Sequence, residues 1–294
     1  MIILITGATG YIGREFIRKY QNEFDIIALV REKSNIADIE QFNCKIIKFN
    51  DFTDINLIFQ KNIISGIVHF ASNVIVEHNQ ENISNLIDSN IKFGTYLLDL
   101  SKMYNVKWFI NTGTFWQNYK NEDYNPVNLY AATKEAFQNI AKFYTQTSQL
   151  LFTTIKLNDT FGQYDTRSKI FNLWDKCSQT GKRLDMSNGE QIIDLIYIED
   201  VINAFKIMIE NLQKENYKEY NNKSYVVTSN QRVSLRGLAD IFEKVTNKKL
   251  YINWGGRSYR NREVIIPYEN GEVVPNWKPK YSLEKAIKKI MERN

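Results

Sequence analysis

Tyr130 and Lys134 stand four residues apart in Tyr130-Ala131-Ala132-Thr133-Lys134. On a helix that spacing puts both side chains on one face, one turn apart. A phenol with its ordinary pKa of ~10 is a poor proton carrier near neutrality. An ammonium beside it favours the phenolate and is expected to pull that value down. The pair is therefore a candidate proton-handling unit for a carbonyl or an alcohol. Upstream, Asn111-Thr112-Gly113-Thr114 brings hydroxyls to the end of a short apolar run, where they can face the same cleft.

A second constellation lies at the start of the chain. Thr6-Gly7-Ala8-Thr9-Gly10-Tyr11-Ile12-Gly13 follows one apolar run and opens an amphipathic one. In this GxxGxxG spacing Gly7 allows a tight turn, Gly10 the approach of backbone to a pyrophosphate, and Gly13 the packing of helix on strand. The free N–H groups of the helix N-terminus favour phosphate, with Thr9, Tyr11 and Ile12 in the same turn. The next apolar run ends Ala28-Leu29-Val30-Arg31. A NAD site carries an acid near this point to accept from the ribose hydroxyls. Arg31, with Lys33 close by, can only donate, and pairs instead with a 2′-phosphate. The expected cofactor is NADP(H) in preference to NAD(H).

The elements that must position these residues follow from hydrophobic periodicity. Ile2–Thr6, Asp25–Val30, Lys45–Phe49, Ile67–Phe70, Trp108–Asn111 and Phe152–Lys156 read as strands. Ile12–Tyr20, a long stretch within Ile83–Tyr104, and Tyr130–Gln149 read as helices. Strands joined by helix-length crossovers pair in parallel, which predicts an α/β fold with a Rossmann-type doubly wound sheet. Beyond about residue 160 the alternation breaks, leaving helices at Ile170–Thr180, Glu199–Asn211 and Leu235–Thr246. The expected organisation is a Rossmann domain over 1–160 and a smaller, mainly substrate-binding region over 161–294. Segments near 190–210 are expected to return to the Rossmann core.

Composition narrows the class. The 294 residues are 43% hydrophobic and 24% charged, which excludes disorder as the main state. Two cysteines, Cys44 and Cys177, make no disulfide framework. The apolar runs are too short to cross a bilayer, so no membrane partner is expected. Met1 runs straight into Ile-Ile-Leu-Ile with no signal-like n-region, and a cytoplasmic protein is expected. The net charge of +5 comes from scattered residues with no basic stripe, which argues against nucleic acid. His69 and His78 have no ligand-like companions, so no metal site is expected. His69 reads as packing beside the cofactor, and the five tryptophans as core or pocket wall.

Taken together these motifs resemble the extended short-chain dehydrogenase/reductase family, in its nucleotide-sugar branch, over nearly the whole chain. The resemblance implies an adenine contact at Asp51 with Phe52, a cofactor wall at His69-Phe70-Ala71-Ser72, and a following helix carrying Asn90, Gly94 and Thr95. It places the catalytic hydroxyl on Thr112 and the Tyr/Lys pair on Tyr130 and Lys134. Sugar-nucleotide 4,6-dehydratases carry Asp-Glu after the catalytic Thr, where this chain has Gly113-Thr114. The epimerase-reductases that make GDP-fucose carry a Cys at the place of Thr114. The run from Asn111 to Gln117, with Tyr124 to Lys134, is similar to the CDP-abequose and CDP-paratose synthase group. That likeness implies an NADPH-dependent 4-ketoreductase of a nucleotide-linked 4-keto-6-deoxy sugar for surface polysaccharides. Tyr130 would protonate the alkoxide, Thr112 bond the same oxygen, and Lys134 hold the ribose. An NAD-retaining 4-epimerase and a non-catalytic cofactor sensor are the alternatives.

For substrate, Lys156-Leu157-Asn158-Asp159-Thr160-Phe161-Gly162 is similar to the family's Arg-x-x-Asn-Val-Tyr-Gly, with Asp159 where Asn is usual. Ile193 stands where many epimerases carry a phosphate-binding Arg. Compensating charge is expected from Arg167 and Lys169, or from Arg257, Arg260 and Arg262, with Arg260 the preferred pyrophosphate ligand. Thr114 joins Asp159, Arg167, Lys169 and Arg260 as a candidate substrate contact. The family also implies a homodimer through the long helices.

Overall fold

The computed structural model describes residues 1–215, 217–229 and 231–292. Its first half alternates β1 (Ile2–Thr6), α1 (Tyr11–Tyr20), β2 (Asp25–Arg31), β3 (Lys45–Phe49), α2 (Phe52–Lys61), β4 (Ile64–His69), α3 (Gln80–Ile87), α4 (Phe93–Met103), β5 (Trp108–Thr114), α5 (Leu129–Thr147) and β6 (Leu151–Leu157). The second half adds β7 (Asp159–Phe161), α6 (Ile170–Thr180), β8 (Leu184–Met186), β9 (Ile192–Tyr197), α7 (Ile198–Asn211), β10 (Lys223–Val227), β11 (Arg232–Ser234), α8 (Leu235–Thr246), β12 (Ile252–Trp254) and α9 (Leu283–Met291).

Seven strands form one parallel sheet in the order β10-β6-β5-β4-β1-β2-β3. Successive β1 side chains point to opposite faces, so Ile3 and Ile5 enter one core and Leu4 the other. On one side Leu4 packs with Ile27, Ile67, Leu97, Phe109, Phe137 and Phe152. The core on the other side continues from Phe16, Val68 and Phe205 into Phe171, Trp174, Leu238 and Phe242. The C-terminal region therefore shares a core with the sheet. Strand order reverses between β1 and β4, and in such sheets ligands bind beyond the carboxyl ends of the strands at that crevice. A Rossmann-type α/β fold is thus observed.

Several boundaries differ from the periodicity reading. The fourth strand spans Ile64–His69 and ends before Phe70, whose N–H turns aside to the Thr6 carbonyl at 3.2 Å. The fifth runs on through Thr114, because pairing with β6 continues at Thr112↔Ile155 and Thr114↔Leu157. The long helix expected within Ile83–Tyr104 is α3 and α4 joined by a π-helical turn, Asp88–Lys92. Helix α2 was not anticipated; Asp51 starts it by accepting from Thr53 N and Asp54 N. Strand β10 adds a seventh strand that the sequence reading lacked, and β9 pairs with β7 and β11 in a small separate sheet. None of the described helices is long and apolar enough to cross a membrane.

Candidate active site

The glycine turn is built around close backbone packing. Gly7 has φ +68°, and a Cβ there would come within 2.6 Å of Ala71 N. A Cβ on Gly13 would meet the Gly7 carbonyl oxygen at 2.3 Å, so α1 can lie against the turn only without a side chain. Gly10 caps α1 with no side chain bonded to its N-terminus, leaving backbone N–H groups for an anion. From this turn one cavity of ≈ 610 Å³ extends past Val30 and Arg31 to Phe52 and Ala71. A second, of ≈ 310 Å³, extends past Thr112, Trp116 and Tyr130 to Asn158, Asp159 and Lys169. Both are lined by Gly7, Gly10, Phe70 and Ser72, so they form one cleft with a cofactor-sized arm and a second, smaller arm.

Arg31 is exposed at the end of β2, on the wall of the larger arm. Phe52 also lines that arm and stacks on Tyr96 with centroids 3.5 Å apart. Asp51 is not on the wall; its Oδ1 accepts from Thr53 N at 2.8 Å and Asp54 N at 3.2 Å. Tyr11 and Ile12 line the smaller arm, where the Tyr11 hydroxyl donates to the Gln163 carbonyl at 2.9 Å.

Asn90 is fully buried and works behind the cleft rather than in it. Its Oδ1 accepts from Asn73 N at 2.7 Å and from the Ser72 hydroxyl at 3.3 Å. Its Nδ2 donates to the Asn73 carbonyl and to Thr133 Oγ1, both at 3.0 Å. The π-helical turn swings this amide inward, and it ties the loop after β4 to α5. His69 is likewise buried, with Nδ1 2.8 Å from Thr6 Oγ1 and its ring among Phe93, Phe109 and Phe137. Burial, with the Lys134 charge nearby, pushes its pKa well below the ordinary value, so it is neutral.

Strand β5 and helix α5 bring the catalytic candidates together. Asn128 caps α5, accepting from Ala131 N at 3.0 Å and donating to the Val76 carbonyl at 3.0 Å. Tyr130 lines the cleft, and its ring meets that of Trp116 in a T-shaped contact, with centroids 6.3 Å apart and planes at 80°. Burial pushes the Tyr130 phenol up to about 12, partly offset by a hydrogen bond with Ser72. Burial also lowers Lys134 to about 8. In the cofactor-free chain the lowering of the tyrosine by the lysine is not seen. Desolvation dominates both groups, and the ammonium that was to stabilise a phenolate is itself disfavoured. Among the described residues, Lys134 Nζ and Thr112 Oγ1 are buried without partners. Thr114 Oγ1 accepts from Trp116 N at 3.3 Å, so that hydroxyl shapes the Phe115–Gln117 turn. The glycine cradle and the unpaired Lys134 ammonium fit a dinucleotide: the turn would hold its phosphates, and Lys134 would donate hydrogen bonds to its ribose hydroxyls.

The substrate-side cations are less free than their sequence suggests. Arg167 lines the cleft but forks onto Asp165, with both bonds at 2.8 Å, and donates to the Thr160 carbonyl at 2.9 Å. Lys169 reaches Asp159 at 3.3 Å. Arg260 is exposed, is not among the residues of this cleft wall, and faces Glu77 at 3.7 Å. Near Ile193, Arg232 donates to the buried Asp194 at 2.9 Å. Asn158 is a wall residue with no individual role expected from its sequence, whereas Trp116 falls within the expectation of core or pocket wall.

Residues 3–222 match the model of the NAD-dependent epimerase/dehydratase family. A CDP-abequose synthase from Salmonella muenchen is 28% identical over 98% of this chain and 96% of its own length. Among solved structures, the UDP-glucose 4-epimerase of Thermotoga maritima, with UDP-glucose, superposes with a TM-score of 0.85 at 20% identity. That superposition covers 99% of this chain and 98% of that one. The UDP-glucuronic acid 4-epimerase of Bacillus cereus, in complex with UDP-glucuronic acid and NAD, has the same TM-score at 17% identity and the same coverage.

Proposed function

The chain belongs to the NAD-dependent epimerase/dehydratase family, and from that premise we propose that it is an NADPH-dependent 4-ketoreductase. Its substrate is a nucleotide-linked 4-keto-6-deoxy sugar destined for surface polysaccharide. The coarser part, an NAD(P)-dependent enzyme acting on a nucleotide sugar, is supported by the family and by the CDP-abequose synthase relatives. The observation that carries the finer part is the content of the wall around Tyr130. Thr112, Tyr130 and the cofactor turn share one cleft, while the positions after Thr112 hold no acid–base pair. Position 113 has no room for one. A Cβ on Gly113 would meet Gln117 Oε1 and Thr154 Cγ2 at 2.8 Å and Lys156 Cγ at 2.9 Å.

NADPH, when bound, supplies the hydride. Tyr130, held as the neutral phenol by burial, donates its proton to the oxygen that becomes the alcohol. Thr112 Oγ1, without a partner among the described residues, bonds the same oxygen and stabilises its developing charge. Lys134 gains from ribose hydroxyls the hydrogen bonds that the protein does not give it. Arg31 pairs with the 2′-phosphate. The second reading, a 4-epimerase that retains NAD, takes its support from the epimerases among the structural neighbours. Tyr130→Phe separates proton donation from binding. Turnover is expected to fall by 10³-fold or more, on the order of a lost general acid, with the Kd for NADPH within about twofold. Unchanged turnover would exclude Tyr130 as the donor.

A further inference from the structure

Asn158 follows β6 on the cleft wall shared with Thr112 and Tyr130, yet only 5% of it is exposed. Its Nδ2 donates to Asp194 Oδ2 at 3.3 Å and to the Val227 carbonyl at 3.2 Å. A carboxylate and a carbonyl only accept, so the amide nitrogen must be the atom turned toward them. Asp194 is itself held in place by Ser229 N at 2.8 Å and Arg232 Nε at 2.9 Å. The amide is thereby locked with Oδ1 facing the other way, and among the described residues Oδ1 has no partner. A buried acceptor without a donor is unfavourable until a ligand supplies one.

The chemistry of that wall selects the donor. Phosphate oxygens are acceptors, and an amide oxygen repels them. The next residue, Asp159, adds a carboxylate to the same wall. The nearby cations are already compensated, Lys169 by Asp159 and Arg167 by Asp165. We infer that Asn158 Oδ1 accepts a hydrogen bond from a hydroxyl of the sugar, so that the sugar, and not the diphosphate, lies against this wall. The assignment rests on the nucleotide-sugar reading above and makes Asn158 a specificity residue. A sugar without that hydroxyl leaves the locked acceptor unpaired and binds more weakly.

Titration calorimetry on the full chain tests this with NADP⁺, with CDP and dTDP, and with CDP-glucose and dTDP-glucose. The wild type is expected to bind a nucleotide sugar more tightly than the matching diphosphate. In Asn158→Ala that increment shrinks about fivefold, the size of one neutral hydrogen bond, while the diphosphates and NADP⁺ bind within about twofold of wild type. Asn158→Ser gives the same pattern and serves if the alanine variant does not fold. An equal loss for the diphosphates, a loss confined to NADP⁺, or no change in any ligand overturns the assignment. A wild type that gains nothing from the sugar overturns the nucleotide-sugar reading itself, and the assignment with it.

Discussion

At the scale of single residues the site is defined by groups held away from their solution protonation behaviour. Lys134 titrates at about 8 in the folded chain, against ~10.5 when unfolded. Since the folded pKa is the lower one, the unfolded chain binds the proton more readily. The penalty is fully present below pH 8 and relieved as pH rises from 8 toward 10.5. Lys134→Met is therefore expected to stabilise the cofactor-free protein at pH 7 by about 1–3 kcal/mol in urea unfolding, while weakening NADPH. In the wild type, NADPH affinity falls above pH 8 as the ammonium is lost, and the variant shows no such step. A destabilised Lys134→Met would contradict this balance. In the proposed NADPH complex, Arg31 is the residue that sets the cofactor preference. Arg31→Ala is expected to raise the Kd for NADPH by about tenfold, one charge-assisted phosphate contact, and to leave NADH within about twofold; fluorescence titration reads both. Residue types and spacing made Tyr130, Lys134, Thr112 and the glycines legible. They did not reveal that burial would dominate Tyr130, because desolvation depends on what packs above a side chain. The Arg167–Asp165 fork joins residues two apart, and their opposite charges at that spacing make it legible from the sequence.

At the scale of elements, the cleft depends on how β5 ends. The pairing of Thr112 and Thr114 with β6 carries the strand three residues beyond Asn111, the end expected from the sequence. Gly113 is pinned in that pairing among Gln117, Thr154 and Lys156. Gly113→Ala is expected to destabilise the protein by about 1–3 kcal/mol through overpacking and to lower kcat by displacing Thr112. Thermal unfolding together with steady-state kinetics checks both, and an alanine variant with unchanged Tm and kcat would contradict the packing argument. Apart from α2, the strands and helices of the first half are readable because runs of five or more residues with strand or helix periodicity leave a pattern. The three-residue strands β7, β8, β11 and β12 leave none, and their pairing is set by tertiary contact. Strand β10 joins β6 from about seventy residues downstream, which no local pattern announces. The π-helical turn that aims Asn90 inward lies hidden in what reads as one continuous helix.

At the scale of the whole molecule, the cofactor turn and the substrate wall are joined across one core rather than carried by separable units. Tyr11 of α1 bonds Gln163 beyond β7, and Arg14 bonds the Tyr164 carbonyl at 2.6 Å. Tyr130 lines the smaller arm, which meets the larger one at Gly7, Gly10, Phe70 and Ser72, as the proposed hydride and proton transfer requires. The direct measurement is NADPH absorbance at 340 nm with purified protein and CDP- or dTDP-linked 4-keto-6-deoxyglucose, with the sugar product identified by NMR. The account predicts one NADPH oxidised for each 4-keto sugar reduced. Interconversion of C4 epimers with no net NADPH oxidation, or no turnover with any nucleotide-linked 4-keto sugar, would contradict it.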